Sequence, residues 1–338
     1  MRRTKIYHSV LFVRSLHPLI ARSDSPYRSQ FAVLERVLVT ETTAMLPPGS
    51  EEHTTRTVLT HLNEPRLRAA RATFRSAIPF PHAVIDNLFP QSILDHVDQE
   101  FPDVPASECR RLGRRRGWHC TMQGRKGGWL KLGSGVESKW GNASRGLMRA
   151  FKSAQFRQHI EHVTGLRELL VDESNIGSGL QQVLQNGSLQ VHADNNHAVR
   201  LAERRVNCFL YLNADWKPSW GGDLTLWSRD LQRCEARIAP VQNRLVVFAS
   251  HDFSYHGHPE PLNCPQGRSR RAIAIYFYTS TNVTGTSDKG MALLRPRAEV
   301  NATARRHGET TLYRAPRCDG MCAASGDCHE APFLDGRT

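Results

Sequence analysis

From about residue 180 the chain becomes a succession of short apolar runs cut by turns, and this texture limits its fold more than any other feature. The runs are residues 189–191, 206–212, 223–227, 236–238, 245–248 and 272–278. Asn186-Gly187, Pro218-Ser219, Gly221-Gly222 and Pro265-Gln266-Gly267 lie between them. Runs this short, bounded by turn residues, read as strands, and many short strands in series close into a sandwich or barrel.

The chain before that point has a different period. In residues 61–76, Leu67, Ala70 and Phe74 recur at helical spacing. Residues 79–86 read as extended. Pro90 and Gln91 open a helix with Ile93, Leu94 and Val97 on one face. Ser144 is placed to cap a helix carrying Leu147, Phe151, Phe156, Ile160 and Val163, which Gly165 ends. The pattern is one of helices first and strands after.

The ends have a third character. The first 23 residues hold Arg2, Arg3, Lys5, Arg14 and Arg22 and no acid. That composition resembles an organellar transit peptide, but the reading it favours is a basic disordered leader. Residues 24–60 look weakly structured, broken at Pro47-Pro48-Gly49-Ser50. The expected organisation is a leader over 1–60, a helical and loop support region over 61–175, a β core over 176–285 and an extended tail over 286–338.

Apolar residues make up 39% of the 338, which excludes a wholly disordered chain. No run approaches the roughly 20 apolar residues of a membrane helix, so no membrane partner is expected. Eight scattered cysteines without a secretory signal read mostly as free thiols in a reducing, cytoplasmic setting, with an organelle as the alternative through the leader. Cys208, inside an apolar run, reads as packing. In the tail, Cys318, Cys322, Cys328 and His329 have the residue types of a zinc site without its spacing, and also read as a flexible end with exposed thiols.

Lys and Arg outnumber Asp and Glu by 45 to 32, for a net charge of +13. This suits an acidic partner or a small anionic co-substrate. Arg110, Arg111, Arg114, Arg115 and Arg116, followed by Trp118, form the densest basic run. Phosphate contact with base stacking is one reading. No nucleic-acid-binding motif accompanies the run, so nucleic acid is not the expected partner, and a solvated loop is the commoner meaning.

Within the strand-rich half, His192 and Asp194 sit two apart, so in a strand they face the same side. Sixty-two residues after Asp194 comes His256, within Ser254-Tyr255-His256-Gly257-His258-Pro259. That gap is long enough for several strands to bring a second imidazole back to the first pair. Two imidazoles and one carboxylate on one face suit non-haem Fe(II), with the opposite face open. His256 and His258 compete for the place of the returning imidazole. His197 and His251 lie nearby in sequence and read as rim or structural residues, with Asn195 and Asn196 at a substrate mouth. Arg270 and Arg271 then open the last apolar run. A cation entering a barrel needs an anion, and a dicarboxylate would supply one to arginine's two-pronged grip. The two arginines point to opposite faces, so one of them meets it.

These pieces, with residues 204–213, Asp215-Trp216, residues 220–227 and residues 243–248, resemble the Fe(II)- and 2-oxoglutarate-dependent dioxygenases in their prolyl 4-hydroxylase-like branch. The resemblance extends over about 76–280, with Phe80-Pro81-His82 and Asp86-Asn87 as outlying pieces. It implies an α+β chain whose core is a double-stranded β-helix, or jelly roll, with supporting helices. It implies His192, Asp194 and His256 as the iron ligands and Arg270, rather than Arg271, at the distal carboxylate of 2-oxoglutarate. Tyr211 falls where relatives place a tyrosine on the same carboxylate, and it also reads as a core aromatic. The implied cofactors are Fe(II), 2-oxoglutarate and dioxygen, with ascorbate as an accessory reductant. The implied activity is hydroxylation of an unactivated C–H bond, on a prolyl residue of a protein or on a small metabolite or amino acid. Leu189 stands where many prolyl hydroxylases carry tyrosine, and Arg270 where the collagen-modifying members carry lysine. The remaining alternative is a non-catalytic β-barrel binding module with a basic nucleic-acid-binding loop.

Overall fold

The computed structural model describes residues 46–103, 118–121, 128–194 and 202–280. The basic leader up to residue 45, the Arg110–Arg116 run, residues 195–197 and the cysteine-bearing tail lie outside the described residues.

Four of the described helices precede most of the sheet. They are α1 (Glu51–Thr60), α2 (Glu64–Phe74), α3 (Gln91–Gln99) and α4 (Asn142–Lys152), and α5 (Ala154–Thr164) follows at once. The strands are β1 (His82–Asp86), β2 (His119–Thr121), β3 (Gly128–Ser134), β4 (Leu170–Val171), β5 (Gly179–His192), β6 (Ala202–Tyr211), β7 (Leu224–Trp227), β8 (Cys234–Ile238), β9 (Arg244–Ala249), β10 (His256–His258) and β11 (Ser269–Ser280).

All the strand pairings are antiparallel, in the order β1-β9-β6-β11-β5-β10-β7-β8. Strand β5 belongs to both halves of this order. Leu180 to Leu184 pair with β11, whereas Leu189 and His192 pair with β10. Between the two stretches Asn186 takes a left-handed conformation at φ 62°, where the strand leaves one pairing for the next. A sheet that folds over on one long strand in this way is a jelly roll, the expected double-stranded β-helix.

The apolar runs of β6, β9 and β11 are nearly continuous because both faces of that sheet are covered. Val206, Cys208, Leu210, Leu245, Val247, Ile273, Ile275 and Phe277 face the helices, packing with Leu147, Phe151 and Phe156. The alternate residues Tyr211, Val246, Phe248 and Ala272 face inward in a second cluster. Burying one side chain such as Leu210, which has no exposed surface, is worth about 1.5–3 kcal/mol.

Several local expectations need correction. Helix α1 lies within the stretch read as weakly structured. Ser50 caps it by accepting from the His53 N–H, and Val58 is fully buried. Ser144 lies inside α4 rather than at its cap. The Glu100 carboxylate instead accepts from the N–H groups of Ala143 and Ser144 at 2.8 Å each. The expected single helix over this region is two, because Ser153 is extended and its hydroxyl caps α5 by accepting from the Phe156 N–H. Gly165 ends α5 at φ 75°, as read. Trp118 is buried against Phe101, so it is not available to stack on a base. Inside the region expected to hold helices and loops, residues 119–121 and 128–134 form β2 and β3, and β3 pairs with β5.

The cysteines are not uniformly reduced. Cys120 and Cys234 are disulfide-bonded, whereas Cys208 and Cys264 are free. The reading of mostly free thiols fails for these two because scattered spacing carries no information about which sulfurs meet in space.

Candidate metal centre and its cavity

His192 ends β5 and His256 begins β10, and the two are cross-strand partners. Gly257 makes this approach possible. A Cβ there would stand 2.8 Å from the Leu189 carbonyl oxygen and 2.9 Å from that of Gln190. Asp194 follows β5 by two residues and turns its carboxylate between the rings. Its Oδ1 is 3.6 Å from His192 Nε2 and its Oδ2 3.8 Å from His256 Nε2. One ligand atom from each residue lies within 4.8 Å of the other two, close enough to share one cation.

Each imidazole is oriented the same way. Nδ1 of His192 donates to the Gln190 carbonyl at 2.8 Å, and Nδ1 of His256 donates to that of Ser254 at 2.9 Å. Fixing the proton on Nδ1 leaves the Nε2 lone pair for a metal. Burial, followed by the neighbouring His192, lowers His256 to about 4, so the ring is neutral at pH 7. Burial raises the Asp194 carboxyl, but contact with His192 and the charge of Arg204 outweigh it and hold the group well below its ordinary range. Asn207 Nδ2 and Arg204 Nη1 both donate to Asp194 Oδ2, at 2.6 and 3.1 Å. Arg204 itself lies over the Tyr276 ring, 3.8 Å from its centroid. The donor set therefore fits a divalent metal: two oriented imidazoles and one ionised carboxylate, all buried or nearly so.

A cavity of about 190 Å³ opens beside this cluster. Arg270 and Tyr211 line it, 7% and 1% exposed. Arg270 Nη2 donates to the Tyr211 hydroxyl at 2.9 Å, and its Nε donates to the Gly222 carbonyl at 2.6 Å. Gly222 has φ 78°, and a Cβ on it would stand 3.1 Å from Arg270 Cδ. Among the described residues no carboxylate is within ion-pair distance of Arg270. A buried guanidinium without a counter-ion is costly, so the cavity is built to receive an anion.

Arg271 is on the other face of β11. It pairs with Asp98 at 3.0 Å and Asp103 at 2.8 Å. The structure thus brings His192, Asp194, His256, Arg270 and Tyr211 to one cavity and leaves Arg271 outside it. His258 also lines the cavity, 2% exposed, with Nδ1 unpartnered. His251 lies apart, stacked on Phe253.

Sequence reasoning passed over Asn207, Arg204 and Lys131 as site residues. The alternation of β6 was a usable signal: counting back by twos from Tyr211 gives Phe209 and then Asn207. No such signal existed for Lys131. It reaches the cavity because β3 pairs with β5, placing Lys131 opposite Val183, which in turn lies opposite Arg270.

Residues 178–278 match the family model of the 2OG-Fe(II) oxygenase superfamily. No curated protein matches the chain. Among solved structures it is similar to a Pseudomonas putida prolyl-4-hydroxylase, at 20% identity over 63% of this chain and 98% of that one, with a TM-score of 0.43. A Trichoplax adhaerens prolyl hydroxylase, in complex with a hypoxia inducible factor oxygen degradation domain peptide fragment, is 18% identical over 64% of this chain and 90% of its own, with a TM-score of 0.44. HygX from Streptomyces hygroscopicus, with nickel and 2-oxoglutarate bound, is 11% identical over 60% of this chain and 84% of its own, with a TM-score of 0.38.

The family match covers residues 178–278, the strand-rich part that holds the cluster and its cavity, and supports a relation of that part to the 2OG-Fe(II) oxygenase superfamily. The matched part supports 2-oxoglutarate-dependent dioxygenase chemistry, with Fe(II) and 2-oxoglutarate as the cofactors of that superfamily. No helix among the described residues is long and apolar enough to cross a membrane.

Proposed function

We propose that the protein hydroxylates an unactivated C–H bond of a prolyl residue in a protein, with His192, Asp194 and His256 holding Fe(II) and Arg270 and Tyr211 holding the distal carboxylate of 2-oxoglutarate. The observation that carries the assignment is the pairing of the three-ligand cluster with a buried, unneutralised Arg270 in one small cavity. The prolyl target is supported by the sequence pattern shared with the prolyl hydroxylase-like branch. When bound, iron and 2-oxoglutarate supply the oxidation of a C–H bond, coupled to loss of carbon dioxide from the keto acid and release of succinate.

The chain's own residues perform the positioning. The i−2 carbonyls hold both imidazoles with Nε2 toward the metal. Asn207 and Arg204 hold Asp194 ionised and oriented. Arg270 offers its remaining N–H groups to a carboxylate, and the Tyr211 hydroxyl, already accepting from Arg270, has its own proton to donate. Val183, Leu224 and Phe209 also line the cavity, and their apolar surface limits water around the reacting centre.

The test is succinate release from 2-oxoglutarate, with Fe(II) and ascorbate, in the presence of proline-containing peptides, other peptides and free amino acids. The proposal expects peptides containing proline to raise the release and to gain the mass of one oxygen on proline. Stimulation by free metabolites alone would move the target to a small molecule, and no release under any condition would remove the activity.

A further inference from the structure

We infer that the protein matures in an oxidising, glycosylating compartment and carries an N-linked glycan on Asn186. The inference is independent of what the cavity binds, and it replaces the cytoplasmic expectation drawn from the spacing of the cysteines.

The first observation is how the cysteines divide. Cys208 and Cys264, the free thiols among the described residues, are 0% and 1% exposed. Cys120 and Cys234 are partly exposed, and both are disulfide-bonded. Among the described cysteines, the two that are partly exposed are therefore oxidised, and the two sealed in the core are not. Accessible sulfurs remain bonded in the secretory lumen and outside the cell, whereas cytosolic reductants open such bonds.

The second observation lies on a different element. Asn186-Gly187-Ser188 is an acceptor sequence for N-linked glycans, which mark surface positions of secreted proteins. Asn186 is where β5 changes partners. Its backbone is held, since its N–H donates to the Leu262 carbonyl at 2.9 Å, while its side chain is exposed and makes no hydrogen bond among the described residues. Val183 and Leu189 line the cavity but Asn186 does not, so a glycan there leaves the cavity open. The same three-residue pattern occurs among the described residues at Asn142, but that carboxamide already accepts from Arg145 at the start of α4.

Ser188 adds a constraint on timing. Its residue is 4% exposed and pairs with Trp129 across β3, so the acceptor sequence is closed to an enzyme once the sheet has formed. Transfer takes place on the chain before β5 is paired. Asn186 Nδ2 attacks the anomeric carbon of a lipid-pyrophosphate-linked oligosaccharide. A C–N bond forms, the C–O bond to the pyrophosphate breaks, the lipid pyrophosphate leaves, and Nδ2 gives up one proton. Nothing is oxidised or reduced in this step.

The test uses the full-length protein isolated from the cells that make it, alkylated under denaturing conditions before and after reduction, and digested for mass spectrometry. Cys120 and Cys234 should be alkylated only after reduction, and Cys208 and Cys264 before it. The Asn186 peptide should appear only after a peptide-N-glycosidase in heavy-oxygen water has converted Asn186 to labelled Asp. Asn186→Asp, which retains the left-handed backbone comfortably, should lose the mass of one glycan in the same cells, and Ser188→Thr should keep it. Alkylation of Cys120 and Cys234 without reduction, or recovery of the unmodified Asn186 peptide as the main species, would overturn the inference.

Discussion

The two faces of the β6–β9–β11 sheet share one backbone and differ in everything else. Toward the helices, residues such as Leu210, Val247, Ile273 and Phe277 are apolar and fully buried. On the opposite face, the same strands present Asn207, Tyr211 and Arg270, polar groups that are just as buried but joined by hydrogen bonds, Asn207 donating to Asp194 and Arg270 to Tyr211. Arg270 and Arg271 compress the contrast into two consecutive positions. Arg271 is neutralised by Asp98 and Asp103 on the outside, and Arg270 faces the cavity without a described carboxylate. The difference teaches that burial alone does not separate a core from a site. An unpaid charge does, because a core position must be neutral or paired in the free protein whereas a site is completed by what it binds.

Substitutions on the two faces should therefore fail in different ways. The largest effect is expected from Asp194→Ala or His256→Ala, which should remove Fe(II) binding and reduce succinate release to background while the melting temperature is retained. Metal titration and thermal unfolding check the two halves of that statement. On the helix side, Leu210→Ala should cost about 2–5 kcal/mol of stability by denaturant unfolding and leave the affinity for 2-oxoglutarate unchanged in the folded fraction. Arg270→Ala should do the reverse, weakening 2-oxoglutarate about 100-fold by calorimetry, roughly the loss of a charge-assisted, two-pronged contact worth about 3 kcal/mol. Asn207→Ala, which removes a hydrogen bond to the Asp194 carboxylate, should weaken Fe(II) about 10-fold with 2-oxoglutarate affinity little changed. The smallest effect is expected from Arg271→Ala. Asp103 is largely exposed and Asp98 partly so, so the loss should be about 1 kcal/mol of stability or less, with no change in cofactor binding. A large loss of 2-oxoglutarate binding in Arg271→Ala would erase the distinction between the faces.

The strands of the core were legible because each apolar run is bounded by its own turn residues, and the cluster was legible because His192 and Asp194 share a face at spacing two. The return of His256 depends on β10 lying against β5, a long-range pairing that the resemblance implied and the local sequence did not. Where pairing alone decides, local reading failed. Residues 128–134 include two glycines and a lysine and have weak strand propensity, yet β5 recruits them as β3 and brings Lys131 to the cavity. Helix α1 has too few apolar positions to announce itself, and it is held by packing against α4. The break at Ser153 was hidden because the apolar spacing runs across it, although a serine followed by three residues of a new turn is itself a cap signal.

The most direct measurement of the central assignment is an anaerobic titration of the full-length protein with Fe(II) and then 2-oxoglutarate, followed in the visible region. A keto acid that chelates ferrous ion through its keto and carboxylate oxygens gives a charge-transfer band. The wild-type protein should develop that band to one equivalent of iron, His192→Ala should not develop it at all, and Arg270→Ala should reach it only at much higher 2-oxoglutarate. An unchanged band in His192→Ala, or identical titrations for wild type and Arg270→Ala, would contradict the account.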